Sequence, residues 1–203
     1  MRNAGLGHQR ESDPAGCEPA GPDTTESERA DYRIGRQPTA DSAATAEERL
    51  QKALSLAFAY LNRRDRTVGE VERHLERKGI RAEAREDSVR VLREDGYLDD
   101  GRYALMFVHD KRALDGWGSE RIRRELNARG IERELIEAAL ARDELERGDG
   151  ETELDRALAI LRRHFPSPPQ ERRDRERALS MLLRKGFDSE LALDALSAHA
   201  RAA

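Results

Sequence analysis

Glu94, Asp95, Asp99 and Asp100 place four carboxylates within seven residues, a grouping that could hold a magnesium ion for phosphodiester chemistry. The spacing argues against that use. Adjacent residues at a helix start point in different directions, no catalytic Lys or His motif accompanies them, and an Asp there caps a helix by accepting its free amides. The other reactive types are dispersed. His74, His109, His164 and His199 include no pair three or four residues apart, the spacing that puts two imidazoles on one helix face. Cys17 is the single cysteine, so one copy makes neither a disulfide nor a cysteine metal site. The glycines stand singly instead of forming the loop G-x-x-x-x-G-K-[ST] that cradles a nucleotide phosphate. No catalytic centre, cofactor or metal is expected.

Cations are the remaining chemistry. Arg63, Arg64 and Arg66 form one cluster, Lys111 and Arg112 a pair, and Arg121, Arg123 and Arg124 a second cluster, while Arg162, Arg163, Arg172, Arg173 and Arg175 surround a Pro-rich stretch. Interleaved with Asp and Glu, such residues form either a solvated, salt-bridged face or an ionic contact for a partner. Net charge is −4, and the first 45 residues carry eight Asp or Glu against five Arg, which leaves about −1 for the rest. A near-neutral body lacks the general Lys and Arg excess of a protein that binds DNA by charge alone, so any nucleic-acid contact must be local.

The elements that position these residues are helical. Charged residues make up 38% of the chain and aromatics 4%, with Ala, Leu, Glu and Arg dominant, a bias toward helix over sheet. Residues 1–45 are rich in Gly, Pro, Ser, Thr, Asp and Glu and predict a disordered acidic tail. Leu50, Leu54, Phe58 and Leu61 then recur at helical spacing. Thr67-Val68-Gly69-Glu70 has the form of a capping box, followed by a helix carrying Val71 and Leu75 and closed by Lys78-Gly79. The same punctuation returns at Ile122, Leu126, Arg129-Gly130-Ile131 and at Ala178, Leu182, Lys185-Gly186-Phe187. Those glycines lie 51 and 56 residues apart, a period suited to three helices. Ser119, and Ser167 with Pro168, Pro169 and Gln170, are expected to start the second and third copies of the middle helix. The fold expected is all-α, with three-helix repeats at 46–99, 100–147 and 151–203 forming an elongated curved array. A single irregular bundle is the alternative.

Between the first two repeats lies Leu92-Arg93-Glu94-Asp95-Gly96-Tyr97-Leu98-Asp99-Asp100, then Arg102-Tyr103-Ala104 and Phe107-Val108. Gly96 suits a left-handed turn, Asp99 or Asp100 a helix cap, and Tyr103, Phe107 and Leu114 an inward stripe. This stretch, with Gly116-Trp117-Gly118-Ser119-Glu120-Arg121-Ile122-Arg123-Arg124-Glu125-Leu126 and the Arg129-Gly130-Ile131 closure, resembles the RecX family of recombinase regulators. The likeness is close from about Leu54 to Leu140 and looser to about Leu196. The N-terminal extension lies outside it, and Trp117 stands where the family often has Pro or another residue.

The resemblance implies a non-enzymatic protein that binds RecA-type recombinase filaments, with the DNA inside as a further contact, and that inhibits filament extension, ATP hydrolysis and strand exchange. Arg63, Arg64, Lys111, Arg112, Arg121 and Arg124 are the expected ionic contacts, and Gly79, Gly96, Asp99, Asp100, Gly130 and Gly186 the expected structural caps. No apolar run follows Met1 and no stretch is long enough to span a bilayer, so a soluble, cytoplasmic protein is expected; a monomer is expected as well. A helical DNA-binding module acting without a recombinase is the competing reading, and a structural adaptor a third.

Overall fold

The computed structural model describes residues 45–146 and 151–202. The expected acidic tail with Cys17, and residues 147–150 of the polar linker, lie outside the described residues. Among the described residues there are nine helices and no strand. The first unit contains α1 (Ala46–Leu61), α2 (Val68–Arg77) and α3 (Ala82–Glu94). The second contains α4 (Asp100–Asp115), α5 (Ser119–Ala128) and α6 (Arg133–Glu146), and the third α7 (Glu153–His164), α8 (Arg172–Lys185) and α9 (Ser189–Arg201). In each unit the first and third helices pack together most extensively.

Local signals set the helix ends. Thr45 with Glu48, Thr67 with Glu70 and Thr152 with Asp155 each form a reciprocal capping box, at the starts of α1, α2 and α7; such a cap is worth about 1 kcal/mol. Every middle helix closes in the same way. Gly79, Gly130 and Gly186 have φ of 75°, 88° and 90°, and the next amide donates to the carbonyl five residues back: Ile80 to Leu75, Ile131 to Leu126 and Phe187 to Leu182. Gly96, at φ 75°, ends α3 with the same bond, from Tyr97 to Leu92. A left-handed residue is what this closure requires, and glycine adopts it without steric cost.

Each unit encloses its own apolar cluster. Val71, Leu75 and Ile80 in the first correspond to Ile122, Leu126 and Ile131 in the second and to Ala178, Leu182 and Phe187 in the third, all buried. The small Ala178 and the large Phe187 offset each other in volume, so the third core keeps its packing with a different division of size.

Three sequence expectations are corrected. The inward stripe of α4 is Asp100, Ala104, Val108 and Arg112, spaced four apart; Leu114 is 82% exposed, and Tyr103 and Phe107 lie half-buried on the flank. Small residues at Ala104 and Val108 let α4 approach α6, which excludes aromatic rings from that line. Gly118, not Ser119, is the N-cap of α5, and it makes no side-chain cap. The prolines at 168 and 169 precede α8 instead of opening it: its N-cap is Glu171, consistent with the extended backbone favoured before proline.

The units are joined by a contact that occurs twice. The start of α2 meets the glycine turn closing α5, and the start of α5 meets the glycine turn closing α8. At the first joint the Thr67 hydroxyl donates to the Arg129 carbonyl at 2.7 Å, and a Cβ on Gly69 would lie 2.9 Å from that same oxygen. At the second, Gly118 and Glu120 donate their amides to the carbonyls of Lys185 and Gly186 at 2.9 and 3.0 Å, and a Cβ on Gly118 would lie 2.4 Å from the Gly186 oxygen.

An acid from the following unit completes each joint. Asp100, first residue of α4, accepts the Val68 amide at 2.9 Å. Glu153, first residue of α7, accepts the Ser119 amide at 2.7 Å and the Ser119 hydroxyl at 2.9 Å. Both therefore satisfy a free amide on the preceding unit's middle helix. Asp99 caps its own helix through the Arg102 amide at 2.8 Å, so Asp100 is a cap of α2, not of α4. Neither α2 nor α5 exceeds ten residues, whereas α8 has fourteen and no glycine at its start.

Candidate functional site

Of the four clustered carboxylates, Asp99 and Asp100 serve as caps and Glu94 lies 3.9 Å from Arg90; no group of three or more metal-ligating side chains occurs among the described residues. Burial pushes the Asp100 carboxyl above the ordinary carboxylate range, with the Val68 hydrogen bond pulling the other way. That is the behaviour of a buried acceptor at a joint.

Arg112 departs furthest from its expected role. Its side chain has no exposure, and its guanidinium donates to Asp143 at 2.8 Å, Ser119 at 3.0 Å, Glu144 at 3.1 Å and the Leu140 carbonyl at 3.3 Å. Lying eight residues after Ala104 on the buried line of α4, it cannot reach a partner. Arg112 is corrected to an internal tie that links α4, α5 and α6 beside the joint with the third unit.

The remaining expected contacts occupy the surface in two places. Arg63 is exposed in the α1–α2 turn, where Arg64 pairs with Glu70 at 3.1 Å. Lys111 and Arg121 meet at Trp117: the Lys111 ammonium is 4.9 Å from the ring centroid and the Arg121 guanidinium 3.9 Å. Lys111 also pairs with Asp115 at 2.7 Å. Arg124, one turn beyond Arg121 on α5, is exposed. It lines an open groove with Glu120, Arg123, Asn127, Arg133 and Glu137. There Arg123 is held by Glu137 at 2.8 Å and Glu120 at 2.7 Å; the hydrogen bond that Arg123 donates to Glu137 raises the arginine and lowers the glutamate.

Residues not singled out for function connect the two places. Glu70 accepts from Arg64 and, at 3.2 Å, from Arg129, whose guanidinium also reaches the Tyr103 hydroxyl at 3.2 Å and lies 5.3 Å from the Phe107 ring centroid. Phe107 stands 6.2 Å from both Tyr103 and Trp117. A strip thus runs from Arg64 through Glu70 to Arg129, across the first joint, and along the rings of Tyr103, Phe107 and Trp117 to Lys111 and Arg121. Rings hold cations by their negative faces and fix the long side chains in place, so a carboxylate or phosphate meets a charge already oriented. Tyr103, Phe107 and Lys111 recur every four residues, a same-face signal that could have revealed the strip.

Comparison with known proteins covers the same residues. The family description of the first three-helix domain of RecX matches residues 53–89, and that of the second matches residues 99–140. A regulatory protein RecX of Xanthomonas campestris pv. campestris (strain B100) is 36% identical over 139 residues, 68% of this chain and 82% of that protein. The chain belongs to the RecX family. A RecX of Geobacillus kaustophilus (strain HTA426) is 31% identical over 150 residues, covering 71% of this chain and 52% of its own longer length. Among solved structures, one of a regulatory protein RecX superposes with a TM-score of 0.58 at 26% identity, over 72% of this chain and 70% of that one. The RecX of Lactobacillus salivarius shares the fold, with a TM-score of 0.63 at 20% identity over 77% of this chain and 99% of its own. The tandem three-helix organisation is thus the RecX fold. No described helix is long and apolar enough to cross a membrane.

Proposed function

We propose that this RecX-family chain is a non-enzymatic, monomeric, cytoplasmic regulator that binds RecA-type recombinase filaments and inhibits their extension, ATP hydrolysis and strand exchange. Family membership over the first two units is the observation that carries the reading. Arg63, Arg64, Lys111, Arg121 and Arg124 are its ionic contacts with the filament. Repeated units suit a repeating partner, because each unit can present its charges to a successive subunit. Arg pairs bidentately with carboxylates or phosphates, which a nucleoprotein filament offers at regular intervals.

ATP hydrolysis by a RecA-type recombinase on single-stranded DNA, measured with and without the chain, tests the proposal. Turnover should fall as the chain is added, and unchanged turnover at saturation refutes it. Charge reversal at Arg121 and Arg124 together should raise the concentration for half-inhibition about tenfold or more, given roughly 1 kcal/mol for each lost charge-assisted contact. Full potency in a variant of unchanged helicity removes α5 from the contact surface.

A further inference from the structure

The glycine turn that closes α2 belongs to a set of three, of which the other two are covered. At the second joint, every carbonyl of Arg184-Lys185-Gly186 accepts a hydrogen bond from the start of α5. Arg184 accepts from the Arg121 guanidinium at 3.3 Å, Lys185 from the Gly118 amide and Gly186 from the Glu120 amide. The Lys185 ammonium in turn donates to the Asp115 carbonyl at 2.8 Å. At the first joint, Arg73 of α2 adds bonds to the Ala128 and Arg129 carbonyls, both at 3.0 Å.

Arg77-Lys78-Gly79 repeats the tripeptide of the second joint residue for residue, with the same left-handed glycine, yet all three residues are exposed. Among the described residues no group donates to their carbonyls, and the Lys78 ammonium makes no hydrogen bond or ion pair. The approach is open as well. A Cβ on Gly79 would meet nothing within 4 Å, whereas one on Gly130 would lie 3.2 Å from the Gly69 Cα and one on Gly186 would run into Arg121. The carbonyls at a helix end form its negative pole, so they pair with the free amides at the positive pole of an entering helix.

We infer that the turn at residues 77–79 is a docking surface for the N-terminus of an α-helix in another protein. The two internal joints specify the chemistry of that helix. A glycine at its start lets backbone approach backbone, as Gly69 and Gly118 do, and the free amides beside it reach the carbonyls. A glutamate in its first turn, the place of Glu70 and Glu120, meets Lys78 as Glu70 meets Arg129 at 3.2 Å. An arginine within its first two turns, like Arg73 or Arg121, donates to the last carbonyls. A second copy of the chain does not offer such a helix, because the starts of α2 and α5 are covered by their own joints and α8 has no glycine at its start. The contact uses none of the cations assigned to the filament, so its test is independent of that reading.

The probe is a peptide copying residues 115–128, with the side chains at 123 and 127 joined by a staple because an unconstrained helix of that length is marginal in water. It is titrated into the isotope-labelled full chain and followed by two-dimensional NMR. Saturable shifts should appear at the amides of Lys78, Gly79 and Ile80. A peptide carrying Gly118→Ala should bind at least about fivefold more weakly, since its methyl meets the turn. The chain variant G79A should weaken binding to the same degree. G96A is its control: Gly96 has the same φ of 75° and the same open space around a Cβ, so it carries equal strain away from the turn and should bind the peptide normally. The inference is overturned if the peptide leaves residues 77–80 unshifted, if it shifts only residues 184–187, if the alanine peptide binds as well as the glycine one, or if G79A and G96A bind alike. It is also overturned if the chain alone self-associates in sedimentation velocity and G79A abolishes that, since the occupant is then a second copy.

Discussion

Substituting Gly118 by Ala tests the joint between the second and third units. In an isolated helix the change is nearly neutral: a poorer N-cap costs about 1 kcal/mol, and a stiffer unfolded chain returns about 0.4–1 kcal/mol. The fold changes that balance. The new methyl would sit 2.4 Å from the Gly186 oxygen and 2.5 Å from both the Gly186 carbonyl carbon and the Phe187 nitrogen. All three are backbone atoms, so relief requires the turn closing α8 to move away. Overpacking of this kind costs about 1–3 kcal/mol, and it should fall on the three joint bonds donated by the amides at 118, 119 and 120. Native-state hydrogen exchange should show those amides exchanging roughly 5- to 150-fold faster. G79A is the control. Gly79 has φ 75° with nothing within 4 Å of an added Cβ, so it bears only the left-handed strain of about 1–2 kcal/mol, and amides 118–120 should keep their protection. Unaltered exchange at 118–120 in G118A would refute the joint as described.

Two further outcomes follow from buried and half-buried charges. R112M should destabilise the chain by about 3 kcal/mol or more in urea denaturation, because Asp143 is left inside without its main cation; a loss below 1 kcal/mol would mean that this tie is dispensable. His74 lies 4.1 Å from Tyr60 in a parallel stack, and burial first, then the charges of Lys78 and Arg77, lower it from 6.5. The unfolded chain therefore takes up that proton first as pH falls. The stability this residue contributes is complete above about pH 6.5 and is lost as pH drops through the lowered folded value. H74Q should flatten the change in thermal midpoint between pH 7 and 5, and an unchanged slope would remove His74 as its source.

The sequence pattern revealed much of this fold because the helix ends are governed by local rules. A Thr three residues before a Glu, or a glycine followed by an apolar residue, carries its geometry with it, and the spacing of Gly79, Gly130 and Gly186 marks the unit length. What stayed hidden depends on neighbours distant in sequence. Arg112 looks like Lys111 beside it, yet a 100° turn of helix separates a surface cation from an internal one. Asp100 looked like a cap for its own helix, and its amide partner, Val68, is 32 residues earlier. The ring-and-cation strip is hidden because aromatic residues at helical spacing read as core, whereas Ala104 and Val108 fill the line facing α6 and leave Tyr103 and Phe107 half-buried on the flank.

The start of α8 has a consequence for how copies of the chain can assemble. A turn like that at Gly79 is accommodated in the two joints by a glycine at or beside the helix N-terminus, but α8 begins behind two prolines, with Arg175 folded back onto the Pro169 carbonyl at 3.1 Å. The Gly79 turn of a second molecule would find side chains and proline rings where the internal joints leave bare backbone. The joint that links one unit to the next within the chain therefore has no matching acceptor at the last unit, and the array it builds ends with the third.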